Sequence, residues 1–173
     1  IGGKIDVTGS ACTDTEATSN ATSTGKINIS DSTVVNGKNA EMVAVIRYAD
    51  GNSYSFMTIE DAIEFAQAGE TVTLLRDITA SNIITINKAI TLDGNGKTLT
   101  STAGRAINVS GADGVTIKNL TINASGERAI NVIQNATNVT VDNVTATAKN
   151  YTVNVAASAP NAVVAIMNNS TLN

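Results

Sequence analysis

Three copies of one tetrad constrain this chain more than any other feature. Ala106-Ile107-Asn108-Val109 returns as Ala129-Ile130-Asn131-Val132 and, more loosely, as Thr152-Val153-Asn154-Val155. The asparagines are evenly spaced (131 − 108 equals 154 − 131). A second motif follows each copy: Val115-Thr116-Ile117-Lys118-Asn119-Leu120, then Val139-Thr140-Val141-Asp142-Asn143-Val144, then a degenerate Ala165-Ile166-Met167-Asn168-Asn169-Ser170. A period of roughly 20–50 residues means that one small unit stacks on the next, because a single unit cannot bury its own apolar face. Within each unit apolar and polar residues alternate, which places one side of a strand inward and the other outward. The chain is therefore expected to be all-β, a solenoid of stacked strands.

The composition agrees and removes several functions. Charged residues are 15% of the 173-residue chain and aromatics 3%, with no His and no Trp, against a usual charged share of about 25%. Without a Lys/Arg run or stacking aromatics, nucleic acid is not an expected partner. No apolar run approaches the roughly 20 residues of a membrane span, so none is expected. Without His, Ser-His and His-metal schemes fall away. Cys12 is the single cysteine and has no internal partner for a disulfide; it does not fix the compartment. The chain begins at Ile1 and shows no terminal cap after Leu172, so it reads as a mature piece or fragment, its last rung continued by more chain or met by another copy.

Two regions follow in order. Residues 1–45 are rich in Thr, Ser and Asn, and Gly3-Lys4-Ile5-Asp6-Val7-Thr8 recurs as Gly25-Lys26-Ile27-Asn28-Ile29-Ser30, a step close to that of the later tetrads. This segment reads either as partial rungs or as a lead-in with two short strands. Residues 46–173 hold the remaining elements. Two strand-like runs, Met42 to Tyr48 and Ser53 to Phe56, flank Asp50-Gly51-Asn52 and predict a β-hairpin. Thr58-Ile59-Glu60-Asp61 has the shape of a capping box, and Ile59, Ala62, Ile63 and Ala66 make one apolar stripe. The helix is expected to end at Ala68-Gly69 and to cover the open end of the stack.

Alternation places Ile107, Val109, Val115 and Ile117 inward and Asn108, Thr116 and Lys118 outward. Leu120 also faces in, although it stands an odd number of positions after Ile117, so Asn119 must be a bend that breaks the alternation. Asn tolerates left-handed backbone angles better than most residues. The same logic makes Asn143 and Asn169 bends, and stacked amides of this kind can hydrogen-bond to one another. Lys118 and Asp142, one rung apart, predict a cross-strand ion pair. Asp93-Gly94-Asn95-Gly96 reads as a glycine-rich turn rather than a Ca²⁺ loop, having too few hard ligands. Outward threonines, Thr91, Thr116 and Thr140 with Thr121 and Thr145 on a third side, form partial ladders. A flat threonine array would suggest an ice-binding surface, but Lys118, Asp142 and Val164 read as interruptions of it.

Short strands, a tight Asn bend, turns of about 23 residues and an upstream helix resemble the right-handed parallel β-helix of the pectate-lyase-like superfamily. Asp61-Ala62-Ile63, Ala68-Gly69-Glu70-Thr71-Val72, Leu75 and Ile90-Thr91-Leu92-Asp93-Gly94-Asn95-Gly96 resemble the start of that fold in bacterial surface and adhesin-type proteins. The resemblance covers Thr58 to Asn173. It implies three-strand rungs behind the helix and hairpin, and a bacterial secreted or cell-surface location. Superfamily enzymes that cleave polygalacturonate use clustered Asp, with Arg or Lys, on the first strand of each rung. The matching positions here are Asn108, Asn131 and Asn154, and amides are not general bases near neutral pH.

No catalytic residue, metal ligand or cofactor is therefore expected. Asn108, Asn131, Asn154, Arg105 and Arg128 remain as candidate ligand contacts, the arginines at the same spacing as the asparagines and with Glu127 beside them. The arginines read either as an anion or uronate contact or as a solvated edge with an ion pair. The expected function is a non-catalytic structural or adhesive module, with a cell-surface glycan or protein receptor as partner. A carbohydrate-binding or degenerate lyase-like domain and a head-to-tail self-assembling unit are the alternatives.

Overall fold

The repeated tetrads lie one above another as parallel strands. The structure is a computed structural model that describes residues 42–173, together with the backbone of four short strands before them. Cys12 lies outside the described residues. Of the early strands, β1 (Lys4–Val7) and β2 (Lys26–Ile29) pair in parallel, Ile5 opposite Ile27 and Val7 opposite Ile29, so the early recurrence is a stacked pair. β3 (Val34–Val35) and β4 (Lys38–Asn39) pair antiparallel.

From residue 71 the chain winds a parallel β-solenoid of about 4 turns. The first turn holds β7 (Thr71–Leu74), β8 (Ile78–Ala80) and β9 (Ile84–Ile86). β10 (Thr91–Ser101) with β11 (Arg105–Ser110), β12 (Thr116–Ala124) with β13 (Arg128–Ile133), and β14 (Val139–Thr147) with β15 (Tyr151–Val155) make the next three. β16 (Val164–Met167) and β17 (Thr171–Leu172) begin another. β10, β12 and β14 bend midway and serve two sides each, which gives the three-sided rung that was expected. The first side is β7, the leading halves of β10, β12 and β14, then β16; the second is β8, their trailing halves and β17; the third is β9, β11, β13 and β15.

The core is a set of columns. Val72, Leu92, Ile117, Val141 and Ile166 stand in register on the first side. Ile84, Ile107, Ile130 and Val153, with Ile86, Val109, Val132 and Val155, do so on the third. Only the third side keeps a strict period, its step the same at each turn (107 − 84, 130 − 107 and 153 − 130 are equal). The first side steps by 25, 24 and 25 (116 − 91, 140 − 116, 165 − 140), so corners absorb the extra residues. At one corner Ala112, Ala136 and Ala159 form a buried stack, a column that alternation does not reveal.

One corner insertion depends on glycine. Between Asp93 and Lys97 the register shifts, and a Cβ on Gly94 would lie 2.5 Å from the Asn119 carbonyl and 2.6 Å from the Leu120 Cβ. Asp93-Gly94-Asn95-Gly96 is thus a glycine-dependent turn, as its composition suggests.

The upstream end is covered. β5 (Ala44–Arg47) and β6 (Ser53–Phe56) form the expected hairpin around Gly51, which has φ 84°. β5 also pairs antiparallel with β7, so the hairpin occupies the free edge of the first side. Helix α1 (Ile59–Phe65) buries Ile59, Ala62 and Ile63, and the Thr58 hydroxyl accepts from the Asp61 N–H at 3.2 Å. The helix ends earlier than expected, with Ala66 as its cap rather than Gly69. Lys88 explains this: its ammonium donates to the Glu64 carbonyl and, at 2.8 Å, to the Ala66 carbonyl, satisfying groups that another turn would have bonded. Gly69, at φ 86°, instead turns the chain into β7. Tyr48, Tyr54, Phe56 and Phe65 pack ring to ring across hairpin and helix, with centroids 5.2–5.6 Å apart.

A column residue with no exposed surface cannot be trimmed without leaving a hole. Ile117→Ala should cost about 2–5 kcal/mol in chemical denaturation. Ile166→Ala, in the same column but at a 51% exposed position, should cost far less.

Candidate functional site

The third side carries all five candidate contacts. Thr85, Asn108, Asn131 and Asn154 occupy one outward column, and Arg105, Arg128 and Tyr151 stand in register at the strand starts. The amides are bonded to each other. Asn131 Nδ2 donates to Asn108 Oδ1 at 3.0 Å, and Asn154 Nδ2 donates to Asn131 Oδ1 at 2.7 Å. Asn131 is 3% exposed, so the centre of the outward row is closed to a ligand. In-register stacking causes this, since each amide's neighbours above and below are amides at strand spacing.

The arginine column is less satisfied. Arg128 Nη1 lies 2.9 Å from Glu127 Oε2, and its guanidinium carbon is 5.8 Å from the centre of the Tyr151 ring. The Nε atoms of both Arg105 and Arg128 are buried without a hydrogen-bond partner. Two guanidinium groups held one rung apart repel, by roughly 1 kcal/mol at water-like dielectric. Tyr151, 54% exposed, continues the column and offers the one open aromatic face in the last complete turn. An oxyanion with an apolar ring face fits this set: donors for the charge, and a phenol ring for the ring. Amides and guanidinium groups hydrogen-bond a ligand without exchanging protons near neutral pH.

The bend residues form a second ladder at the corner between the first and second sides. Asn119 and Asn143 have φ 51° and 52°, as the broken alternation requires. Asn143 Nδ2 donates to Asn119 Oδ1 at 2.9 Å, and Asn119 Nδ2 to Asp93 Oδ1 at 3.1 Å. Asn169 is not the third bend. β16 pairs Val164 with Val139, so Asn168 falls opposite Asn143, and it is Asn168 that has φ 44°. Val164, not Ala165, stands over Val139, so the motif begins one residue earlier and the first Asn of the Asn168-Asn169 pair falls at the bend. Asn95, at φ 52°, is a fourth bend, hidden in sequence by the glycines around it.

The outer charges also pair differently from expectation. Lys118 has an aspartate on each side in its column, Asp93 and Asp142. Its ammonium lies 3.4 Å from Asp93, and Asp142 instead accepts from the Asn168 amide. Among the described residues no three His, Cys, Asp or Glu side chains form a group that could hold a metal ion. Tyr48 is held protonated, its hydroxyl pushed up to about 12 by burial and then by the Glu70 carboxylate beside it. A cleft of about 420 Å³ at the capped end is lined by Met57, Thr58, Glu60, Arg76 and Asp77, and Arg76 Nε donates to the Met42 carbonyl there at 2.8 Å.

These features define a class, a capped parallel β-solenoid with ladders of amides on its sides. No family model, no curated protein and no solved structure matches the chain.

Because Asn131 bonds in both directions, Asn131→Ala leaves one acceptor and one donor without partners. It should cost about 1–3 kcal/mol in equilibrium unfolding, and more than Asn108→Ala at the end of the row.

Proposed function

We propose that this chain is a non-catalytic structural and adhesive module of a secreted or cell-surface bacterial protein. The observation that carries the reading is the state of the third side. Where superfamily enzymes resembling this fold keep acids, this chain has an amide row closed on itself, beside two in-register arginines and the exposed Tyr151 ring. A pectate-lyase-like ancestry accounts for the three-sided rung and the upstream helix, and loss of the acids leaves a scaffold that can hold but not cleave. The partner is an acidic glycan, its carboxylate or sulfate group at Arg105 and Arg128 and a sugar ring on Tyr151.

Sugars are recognised by a few hydrogen bonds plus a stacking surface, and this column supplies both in miniature. Incubation with immobilised polygalacturonate and with heparin should retain the chain at low salt. Arg128→Ala should weaken retention at least tenfold, with unchanged thermal unfolding. Equal binding of the variant, or release of unsaturated product from polygalacturonate in the presence of Ca²⁺ at alkaline pH, would overturn the reading.

A second reading, head-to-tail self-association, has its own support. Tyr151, Val155, Val163, Ile166 and Met167 are exposed in the last turns, where Val155 and Ile166 top the core columns. β15, β16 and β17 each have one strand edge with no partner among the described residues. If that end stacks on another copy, Ile166→Lys should abolish concentration-dependent sedimentation. A monomer at every concentration sinks this second reading and leaves the first intact.

A further inference from the structure

The second side carries a two-column array of hydroxyls that sequence order alone conceals. Thr98, Thr121, Thr145 and Thr171 stand in register on β10, β12, β14 and β17. Two positions along each strand, Thr79, Thr100, Asn123 and Thr147 form a parallel column. The interruptions expected from sequence are elsewhere. Lys118 and Asp142 belong to the first side, and Val164 stands in the inward column over Val139. The array itself carries no charge. Charged residues flank it at the corners, Asp77 and Lys97 on one and Glu127 and Lys149 on the other.

Its chemistry differs from that of the other two sides. The first side spends its polar groups in the Lys118–Asp93 pair, and the third in amide-to-amide bonds. Thr100, Thr121, Asn123, Thr145 and Thr147 make no side-chain hydrogen bond among the described residues; Thr100, Asn123 and Thr145 are exposed, and Thr121 and Thr147 are half-buried. The inward partners Leu99, Ile122 and Ala146 are fully buried, which holds the strands in place. No register shift interrupts β12 against β14 between Leu120 and Asn123.

Strand geometry sets the mesh of the array. Hydroxyls repeat at about 4.8 Å across strands and about 6.6 Å along them. The spacing across strands is near a repeat of oxygen positions on the surface of ice, and the spacing along them is somewhat shorter than the matching ice repeat. β-Branched threonine holds its χ1 rotamer stiffly, so each hydroxyl is fixed beside a methyl rather than free to wander. A charged side chain would bind water tightly in its own geometry; this uncharged mesh of hydroxyl and methyl groups leaves first-layer water to adopt a lattice.

We propose that the second side is an ice-binding surface, with the oxygen lattice of an ice plane as ligand. It is independent of the glycan reading, which uses the third side. The test is ice-affinity partitioning of the purified chain, with inhibition of ice recrystallisation as a second readout. The chain should concentrate in the ice fraction. Thr121→Lys with Thr145→Lys should return it to the liquid, at the level of a non-binding control protein, with an unfolding midpoint lowered by the two stacked ammonium groups. Thr116→Lys on the first side should partition as the parent does. Should the double variant unfold, Thr145→Lys alone, at an exposed position, gives the same reading. Exclusion of the parent chain from ice overturns the proposal, as does a loss with Thr116→Lys equal to that of Thr145→Lys. Adsorption to microcrystalline cellulose without adsorption to ice also overturns it.

Discussion

Parallel hydrogen bonding from each turn to the next, in register, is the constraint on which the rest of the molecule depends. It fixes neighbouring backbones at about 4.8 Å and places each side chain directly over its counterpart. Every outward position becomes a column, and a column favours residues that tolerate copies of themselves. Aliphatic groups inside, and amides or hydroxyls outside, meet that condition; stacked like charges repel, as Arg105 and Arg128 do. The low charge content of this chain follows, as does the use of Asp, Lys and Asp in alternation at the one charged column of the first side. The same bonding creates a problem at the ends, where strand edges and apolar columns stand open. Upstream, the β5–β6 hairpin takes the edge while α1 covers the core.

The three sides put one rule to different uses. On the third side the amides face each other and saturate, so the row stiffens the stack and offers little to a partner except at its flanking arginines. On the second side a hydroxyl and methyl of similar size leave the polar group pointing away, and the surface stays available to water. The difference lies in side-chain reach: an Asn amide spans one strand spacing to the next amide, whereas a Thr hydroxyl falls short of the next hydroxyl. The proposed glycan contact and the proposed ice-binding face therefore share no residues.

Much of this is legible in the sequence. Asn119 and Asn143 can be placed as bends because Leu120 and Val144 break the period-two pattern and Asn accepts positive φ. Arg105 and Arg128 can be stacked because the third side keeps an even step. The misplacements are of register. Asn168 rather than Asn169 is the bend because β16 starts its register at Val164, and two adjacent asparagines leave the sequence pattern ambiguous by one position. Lys118 turns to Asp93, a partner separated by a glycine insertion whose effect on register no local pattern discloses. The burial of Asn131 also escapes sequence reading, since alternation specifies which way a residue points and not how closely its neighbours enclose it.

By itself the sequence determined that this chain stacks strands, which strand residues face the core, and that an apolar-striped helix precedes the stack. These are properties of period and of backbone tolerance, and both are written locally. The tertiary structure alone decided which outward residues share a side. Corner lengths set how the turns align, and alignment across turns is a relation between residues a whole turn apart in the chain. That relation separated Thr121 and Thr145 from Lys118 and Asp142, and it turned three similar asparagines into one closed ladder.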